Sequence, residues 1–134
     1  MCDEATNNFK LIGIWMSEKK FQKLRWLEFV NICRNRGYDL VKLDLDKPLE
    51  EQGTLKVFIH KLTDIIAAAD LGDAKSREVI GNVEQYISNH PDMTVVDSLD
   101  SVRVLLDRYR YYSLIEKQPQ LRKHGVFTPP FCVL

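Results

Sequence analysis

One short apolar run, halted by a serine and two lysines, restricts the possible folds of this chain more than any other feature. Residues 9–16 are rich in β-branched and aromatic side chains and are few enough for a strand buried on both faces. Ser17 follows as a candidate N-cap, because its hydroxyl can accept a hydrogen bond from a free amide of a helix's first turn. Apolar residues at every third or fourth position then predict one amphipathic helix over residues 19–36, which Gly37 ends. A buried strand followed by an amphipathic helix is typical of an α/β sheet.

The rest of the chain alternates short apolar runs with helical stretches. We predict strands over residues 38–45, 55–59 and 93–97, and helices over residues 62–71, 74–90 and from about 100 to 115. This order predicts an α/β fold: a small, Rossmann-like open sheet of about four mostly parallel strands with helices on both faces. Polar and apolar residues alternate in the second strand, so we expect it near an edge of the sheet.

The chain carries few signals that would divide it. Residues 1–8 are predicted to be a polar tail, and residues 9–117 one α/β domain without internal repeats. Residues 118–134 contain three prolines and a glycine and are predicted to be loop-like, with the start of another strand at residues 131–134.

Composition excludes several classes of function. Lysine plus arginine and aspartate plus glutamate number 19 each, so no overall field attracts nucleic acid or an anionic membrane. No apolar run reaches the roughly 18 residues that a membrane span needs, and the N-terminus does not resemble a leader. The three cysteines, Cys2, Cys33 and Cys132, form no CxxC pair, which fits a reducing compartment with Cys33 as a small core residue. We expect a cytoplasmic monomer that binds neither nucleic acid nor membranes.

Basic residues follow two of the predicted strands. Lys19 and Lys20 would stand at the carboxyl end of the first strand, where a helix N-terminus and nearby ammonium groups favour phosphates. His60 and Lys61 end the third strand, and parallel neighbouring strands would bring them toward Lys20. The alternative is that the lysines are merely solvated and that His60 is an ordinary hydrogen-bonded residue. The residues alone leave both interpretations open.

The sequence does not predict a complete nucleotide or metal site. The six glycines never cluster into a phosphate-binding loop of the Walker type. Asp64 and Asp70 are single carboxylates without the paired spacing of a metal site. Bases and aromatics mix at residues 108–112, but on a helix their side chains spread around the axis, so we expect no nucleic-acid stripe. We therefore assign no catalytic residue and no metal ligand.

Five short motifs, each weak by itself, together carry a family resemblance. They are Trp15-Met16-Ser17-Glu18-Lys19-Lys20, Cys33-Arg34-Asn35-Arg36-Gly37, Pro48-Leu49-Glu50-Glu51-Gln52-Gly53, Ile59-His60-Lys61-Leu62-Thr63-Asp64 and Leu105-Leu106-Asp107-Arg108. In this order the chain resembles the N-terminal domain of the inositol 1,3,4-trisphosphate 5/6-kinases, also called inositol-tetrakisphosphate 1-kinases. The resemblance implies an ATP-grasp kinase whose first, pre-ATP-grasp domain is Rossmann-like and whose later domains bind ATP and Mg²⁺. Residues 118–134 would then be the linker at the start of that ATP-grasp region.

The resemblance also implies an activity and the residues that serve it. Lys20 matches the family's contact to inositol phosphate, and further substrate-binding candidates are Lys61, His60 and Lys19. Arg108 matches a residue that contacts ATP. The implied reaction is ATP-dependent phosphorylation of inositol 1,3,4-trisphosphate at the 5 or 6 position and of inositol 3,4,5,6-tetrakisphosphate at the 1 position, with this chain inactive by itself. The alternative is a noncatalytic α/β binding or interaction module.

Overall fold

The computed structural model of the protein describes residues 8–133, whose contacts group them into two compact units divided between Asp97 and Ser98. Residues 1–7 of the predicted polar tail, with Cys2, lie outside the described residues, as does Leu134. Within the described range, the first unit carries a sheet and four helices, and the second carries three helices. The predicted boundary between residues 117 and 118 stays a prediction.

Four parallel strands form the sheet of the first unit. They are β1 (Lys10–Trp15), β2 (Tyr38–Lys42), β3 (Leu55–His60) and β4 (Thr94–Val96). Their order is β2-β1-β3-β4, and each neighbouring pair is parallel. The predicted small, open α/β sheet is confirmed, as is the position of β2 at its edge.

Gly13 allows β1 to fit between its two neighbouring strands. A Cβ atom at this position would lie 2.5 Å from Leu55 Cδ1 and 2.9 Å from Leu43 Cδ1. Both leucines are buried, with only 4% and 6% of their surfaces exposed. Side chains from either side of β1 therefore fill the space next to Gly13, and a residue with a side chain would overpack the core.

Two short helices follow β1. They are α1 (Glu18–Phe21) and α2 (Trp26–Arg34). Phe21 and Cys33 belong to one core cluster with Ile14 of β1, so these helices cover that face of the sheet. Cys33 is buried, as predicted. Gly37 follows α2 with a φ of 82°, a left-handed conformation that suits glycine at a helix end.

The single helix predicted over residues 19–36 is wrong, because the chain leaves helical geometry between Phe21 and Trp26. The two rings meet edge to face with centroids 5.5 Å apart. The Lys42 ammonium lies 4.6 Å from the Phe21 centroid and 5.1 Å from the Trp26 centroid. An unbroken helix would separate side chains five positions apart by about 140° around its axis. The break lets both rings face Lys42, a partner that helical periodicity does not register.

Two longer helices follow β3. They are α3 (Thr63–Asp70) and α4 (Ala74–Asn89). The interruption predicted at residues 72–73 is confirmed, and the Asp73 carboxylate caps α4 by accepting from the Ser76 amide at 2.8 Å. Hydrogen bonds from Ser76 keep the pKa of the Asp73 carboxyl below its usual value. Ile66 and Val83 are almost completely buried, so α3 and α4 contribute their apolar sides to the core. The predicted arrangement of helices around the sheet is confirmed.

The second strand is shorter than predicted, since β2 ends at Lys42 and not at Leu45. Beyond Lys42, the backbone of Asp44 forms hydrogen bonds with the Gln52 side chain and not with a neighbouring strand. Its Oε1 accepts from the Asp44 amide at 2.8 Å, and its Nε2 donates to the Asp44 carbonyl at 2.7 Å. The chain then turns through a 3₁₀ helix, Leu49–Glu51, before β3 begins.

The second unit contains three helices within its described residues. They are α5 (Leu99–Leu106), α6 (Arg108–Glu116) and α7 (Pro119–Lys123). Ser98 caps α5, because its side-chain oxygen accepts a hydrogen bond from the Ser101 amide. The continuous helix predicted through residue 115 is wrong, because the Asp107 carboxylate accepts from the Arg110 amide and starts a new helix.

The C-terminal region also differs from its predicted loop. α7 begins at Pro119, whose fixed φ suits the first position of a helix. Residues 131–133 are not in a strand, so the strand predicted to start there is wrong for the residues that the structure describes.

Candidate functional site

The carboxyl ends of β1, β2 and β3 lie side by side. Trp15 of β1 pairs with His60 of β3, and the Trp15 carbonyl accepts from the Lys61 amide at 2.9 Å. On the other side, the Ile14 carbonyl accepts from the Leu43 amide at 2.9 Å. Open α/β sheets bind their ligands where such strands end. We call this region the carboxyl edge; it comprises residues 16–20, 43–46 and 61–62.

The predicted substrate-binding lysines all belong to the carboxyl edge. Lys19 is exposed and Lys20 half-buried on α1, and the exposed Lys61 directly follows β3. Within residues 8–133, none of the three pairs with a carboxylate. α1 has only four residues, and the Ser17 hydroxyl makes no capping hydrogen bond. The dipole of the predicted long helix is therefore missing, and attraction for an anion comes from the ammonium charges.

His60 is buried, and its imidazole uses both nitrogens inside the protein. Nε2 lies 2.6 Å from the Asp97 carbonyl oxygen, and Nδ1 lies 3.4 Å from the Leu62 amide nitrogen. A carbonyl can only accept and an amide N–H can only donate, so the ring is neutral with its proton on Nε2. Burial lowers the pKa of His60, in agreement with a neutral ring. In this arrangement neither nitrogen is free for a phosphate oxygen.

A cavity of about 380 Å³ opens at the carboxyl edge. Its charged lining residues are Glu18, Lys42, Asp44 and Asp46. The Lys47 ammonium lies 3.6 Å from an Asp44 carboxylate oxygen, and the Lys75 ammonium lies 3.5 Å from one of Asp46. The predicted lysines are not among the lining residues. Because most of its charges are negative, this cavity alone is not suited to a phosphate.

Lys42 is a cation of this region that sequence reasoning missed. It ends β2 opposite Ile14 of β1, and its ammonium lies over the rings of Phe21 and Trp26. Contact with two aromatic faces holds an otherwise exposed ammonium in place. The sequence signal was only the alternation that puts Lys42 on a polar position, because both rings belong to a different segment.

Arg108 lies in the second unit, in the first turn of α6, and its side chain is exposed. A guanidinium there stands near the positive end of the helix dipole, which is unfavourable unless an anion is also present. The neighbouring Asp107 carboxylate accepts from the Arg110 amide. The contact of Arg108 with ATP stays a prediction.

The described residues do not provide a set of ligands for the Mg²⁺ ion that the family resemblance implies. Across residues 8–133, no three His, Cys, Asp or Glu side chains cluster where they could hold a metal ion. Asp64 and Asp70 are both exposed on α3. The same part of the chain contains no helix that is both long and apolar enough to cross a membrane.

Comparison of the sequence with known protein families identifies the family of this chain. The profile of the inositol 1,3,4-trisphosphate 5/6-kinase pre-ATP-grasp domain matches residues 11–102. The chain belongs to this family. The match spans all four strands except the first residue of β1, and therefore includes the whole carboxyl edge of this pre-ATP-grasp domain. Arg108 lies outside it. The resemblance identified from the five motifs is confirmed.

Individual relatives cover more of this chain than the profile does. Inositol-tetrakisphosphate 1-kinase of Xenopus laevis is 43% identical over 126 residues, which are 93% of this chain and 32% of the relative. The protein of the same name from Danio rerio is 42% identical over 126 residues, with the same coverage. Inositol-tetrakisphosphate 1-kinase 4 of Glycine max is 34% identical over 96 residues, 72% of this chain and 25% of the relative. The chain spans about a third of the length of the two animal relatives.

Proposed function

We propose that this chain supplies the substrate-binding edge of an ATP-dependent inositol polyphosphate kinase. Its relatives are named inositol-tetrakisphosphate 1-kinases, and its family is named for an inositol 1,3,4-trisphosphate 5/6-kinase. The substrates are inositol 1,3,4-trisphosphate, phosphorylated at the 5 or 6 position, and inositol 3,4,5,6-tetrakisphosphate, phosphorylated at the 1 position. The observation that supports this most is the parallel pairing of β1 with β3, because the α1 lysines and Lys61 then leave the sheet at the same edge.

Lys20 and Lys61 bind phosphate groups of the substrate in this proposal. Each carries an ammonium without a carboxylate partner among the described residues, so neither must break an ion pair to bind an anion. A hydrogen bond between an ammonium and a phosphate is charge-assisted and stabilises by about 1.5–3 kcal/mol. Solvent screening keeps exposed Lys61 and Lys19 at the low end of this range. Two held phosphates orient the inositol ring and thereby select the hydroxyl that reacts.

ATP and Mg²⁺ complete the reaction in this proposal, with Arg108 as the residue of this chain that contacts ATP. Mg²⁺ would supply charge neutralisation at the transferred phosphoryl group, and we assign no residue of this chain to hold it. Residues 8–133 contain no group of three His, Cys, Asp or Glu side chains that could hold a metal ion. We therefore expect this chain by itself to bind an inositol phosphate and to give no measurable phosphorylation.

A calorimetric titration with inositol 1,3,4-trisphosphate tests the site. Salt is varied from about 0.01 to 1 M, which shortens the Debye length from about 30 to 3 Å. The wild-type chain is expected to bind more weakly as salt rises. Lys20→Ala and Lys61→Ala are each expected to raise the Kd about tenfold, equivalent to about 1.4 kcal/mol.

Two matched lysine variants serve as controls. Lys23→Ala changes the turn directly after α1, and Lys56→Ala changes the opposite half of β3. Both are expected to keep the wild-type Kd. Equal affinities in all five proteins would contradict the site, and equal losses in all four variants would indicate diffuse attraction without a site. Phosphorylation by this chain alone, given ATP and Mg²⁺, would contradict the expectation that it is inactive by itself.

A further inference from the structure

The backbone of Lys61 is held by two hydrogen bonds at the corner where β3 ends. The Lys61 amide donates to the Trp15 carbonyl at 2.9 Å. The next amide, that of Leu62, donates to Nδ1 of His60 at 3.4 Å. The imidazole therefore closes a short hydrogen-bonded ring that contains the whole Lys61 backbone. The backbone of Lys61 cannot rotate without breaking one of these bonds and leaving its polar groups unpaired.

His60 is itself fixed by its surroundings. Its Nε2–H donates to the Asp97 carbonyl, which directly follows β4. Its ring centroid lies 5.4 Å from that of Phe58, and only 6% of its surface is exposed. A buried ring with both nitrogens bonded has no alternative orientation of similar energy. The imidazole thus connects the end of β4 to the corner that carries Lys61.

We propose that His60 is the positioning residue of Lys61, because its Nδ1 holds the Leu62 amide and so fixes the backbone from which the Lys61 ammonium reaches a substrate phosphate. The inference rests on the proposed function, since the position of Lys61 matters only if Lys61 binds phosphate. It assigns His60 an effect through Lys61 and no contact with the substrate. The lysine stem remains free to rotate, so His60 determines where the stem begins.

The role requires the neutral ring. A second proton would sit on Nδ1 and face the Leu62 N–H, so that two donors would oppose each other. Two charged groups act on this equilibrium: the Lys61 ammonium disfavours the added proton, and the Asp97 carboxylate favours it. Acid is therefore expected to loosen the corner and to weaken phosphate binding.

Three substitutions separate the two hydrogen bonds of His60. His60→Asn places an amide oxygen near the Nδ1 position and keeps an acceptor for Leu62. His60→Gln extends toward the Nε2 position and keeps a donor for the Asp97 carbonyl, whereas His60→Phe keeps the ring and loses both. For inositol 1,3,4-trisphosphate we expect the Asn variant to stay within about twofold of the wild-type Kd, and the Gln and Phe variants to bind about fivefold more weakly, as for one lost hydrogen bond.

Nitrogen-15 NMR of the imidazole tests the same inference in the unsubstituted chain, whether or not a variant folds. We expect a proton on Nε2 and none on Nδ1, both before and after the inositol phosphate is added. As the pH falls through the lowered pKa of His60 in the folded protein, the Kd of the wild type is expected to rise relative to that of His60→Asn, a comparison that cancels titration of the ligand's own phosphates. A ring protonated on Nδ1, or one whose protonation changes on binding, would overturn the positioning role.

The outcomes also distinguish this inference from the proposed function. If Lys61→Ala weakens binding while folded His60→Gln and His60→Phe do not, the positioning role is overturned and the phosphate site stands. If Lys61→Ala binds as well as the wild type, the proposed role of Lys61 fails, and the positioning role fails with it.

Discussion

The Trp15 carbonyl and the Lys61 amide are joined by a 2.9 Å hydrogen bond across two parallel strands. This bond fixes the end of β1 to the start of the β3–α3 connection. His60, which pairs with Trp15, also connects these segments to the end of β4 through its hydrogen bond to the Asp97 carbonyl. Charged side chains that begin on such a connected backbone can be placed more reproducibly than side chains on independent loops.

Gly13→Ala is expected to lower the free energy of unfolding by about 1–3 kcal/mol, the usual cost of overpacking a core. The new Cβ would lie 2.5 Å from Leu55 Cδ1, and that leucine is itself buried. The matched control is Gly81→Ala on α4, where a Cβ meets nothing within 4 Å. This control is expected to stabilise the protein by up to about 1 kcal/mol, because alanine favours a helix. Urea unfolding followed by circular dichroism measures both, and equal stability of Gly13→Ala and the wild type would contradict the close packing around β1.

Acid is expected to destabilise the protein through His60. Burial lowers the pKa of His60 in the folded state, so the unfolded chain takes up the proton first as the pH falls. The contribution of His60 to the free energy of unfolding is therefore fully present above its unfolded-state pKa of about 6.5. As the pH falls from there toward the lower folded-state pKa, the free energy of unfolding declines by at most about 1.4 kcal/mol per pH unit. Urea unfolding across this range is compared with that of His60→Asn, which cannot titrate there. Identical pH profiles for the two proteins would contradict the prediction.

The sheet could be predicted from sequence because its signals are local. Short apolar runs mark the strands, and Gly37 marks the end of α2. The two predictions of one continuous helix, over residues 19–36 and about 100–115, were wrong for reasons that lie outside helical periodicity. Lys42 contacts the aromatic rings on either side of the break between α1 and α2, and Asp107 caps α6 after the break that follows α5. The candidate site likewise divides into a local part and a tertiary part. The position of Lys61 at the end of a strand parallel to β1 could be predicted from the sequence, whereas the hydrogen bond from His60 to Asp97 depends on a tertiary neighbour and could not.

Lys42→Gln is expected to lower the free energy of unfolding by about 1 kcal/mol. Its ammonium lies over the rings of Phe21 and Trp26, and each such contact contributes about 0.5–1 kcal/mol at an exposed position. Lys42→Arg keeps the cation and should retain most of this stability. Lys47→Gln is the control, because it removes only an exposed ion pair with Asp44 that contributes about 0.5 kcal/mol or less. Tryptophan fluorescence during urea unfolding measures the series, and a loss for Lys42→Gln no larger than that for Lys47→Gln would show that the rings do not hold the ammonium.

Ile66→Ala is expected to lower the free energy of unfolding by about 2–5 kcal/mol, the range for removing a large aliphatic side chain from a core. Ile66 on α3 is 0% exposed, whereas Ile32 on α2 is 51% exposed. Ile32→Ala is therefore the matched control, with the same atoms removed from a helix and an expected loss below about 1 kcal/mol. Because both substitutions replace isoleucine by alanine within a helix, the change in helix propensity cancels between them. The difference in urea midpoint at equal m value measures the burial of α3, and similar midpoints for the two variants would contradict its place in the core that supports Lys61.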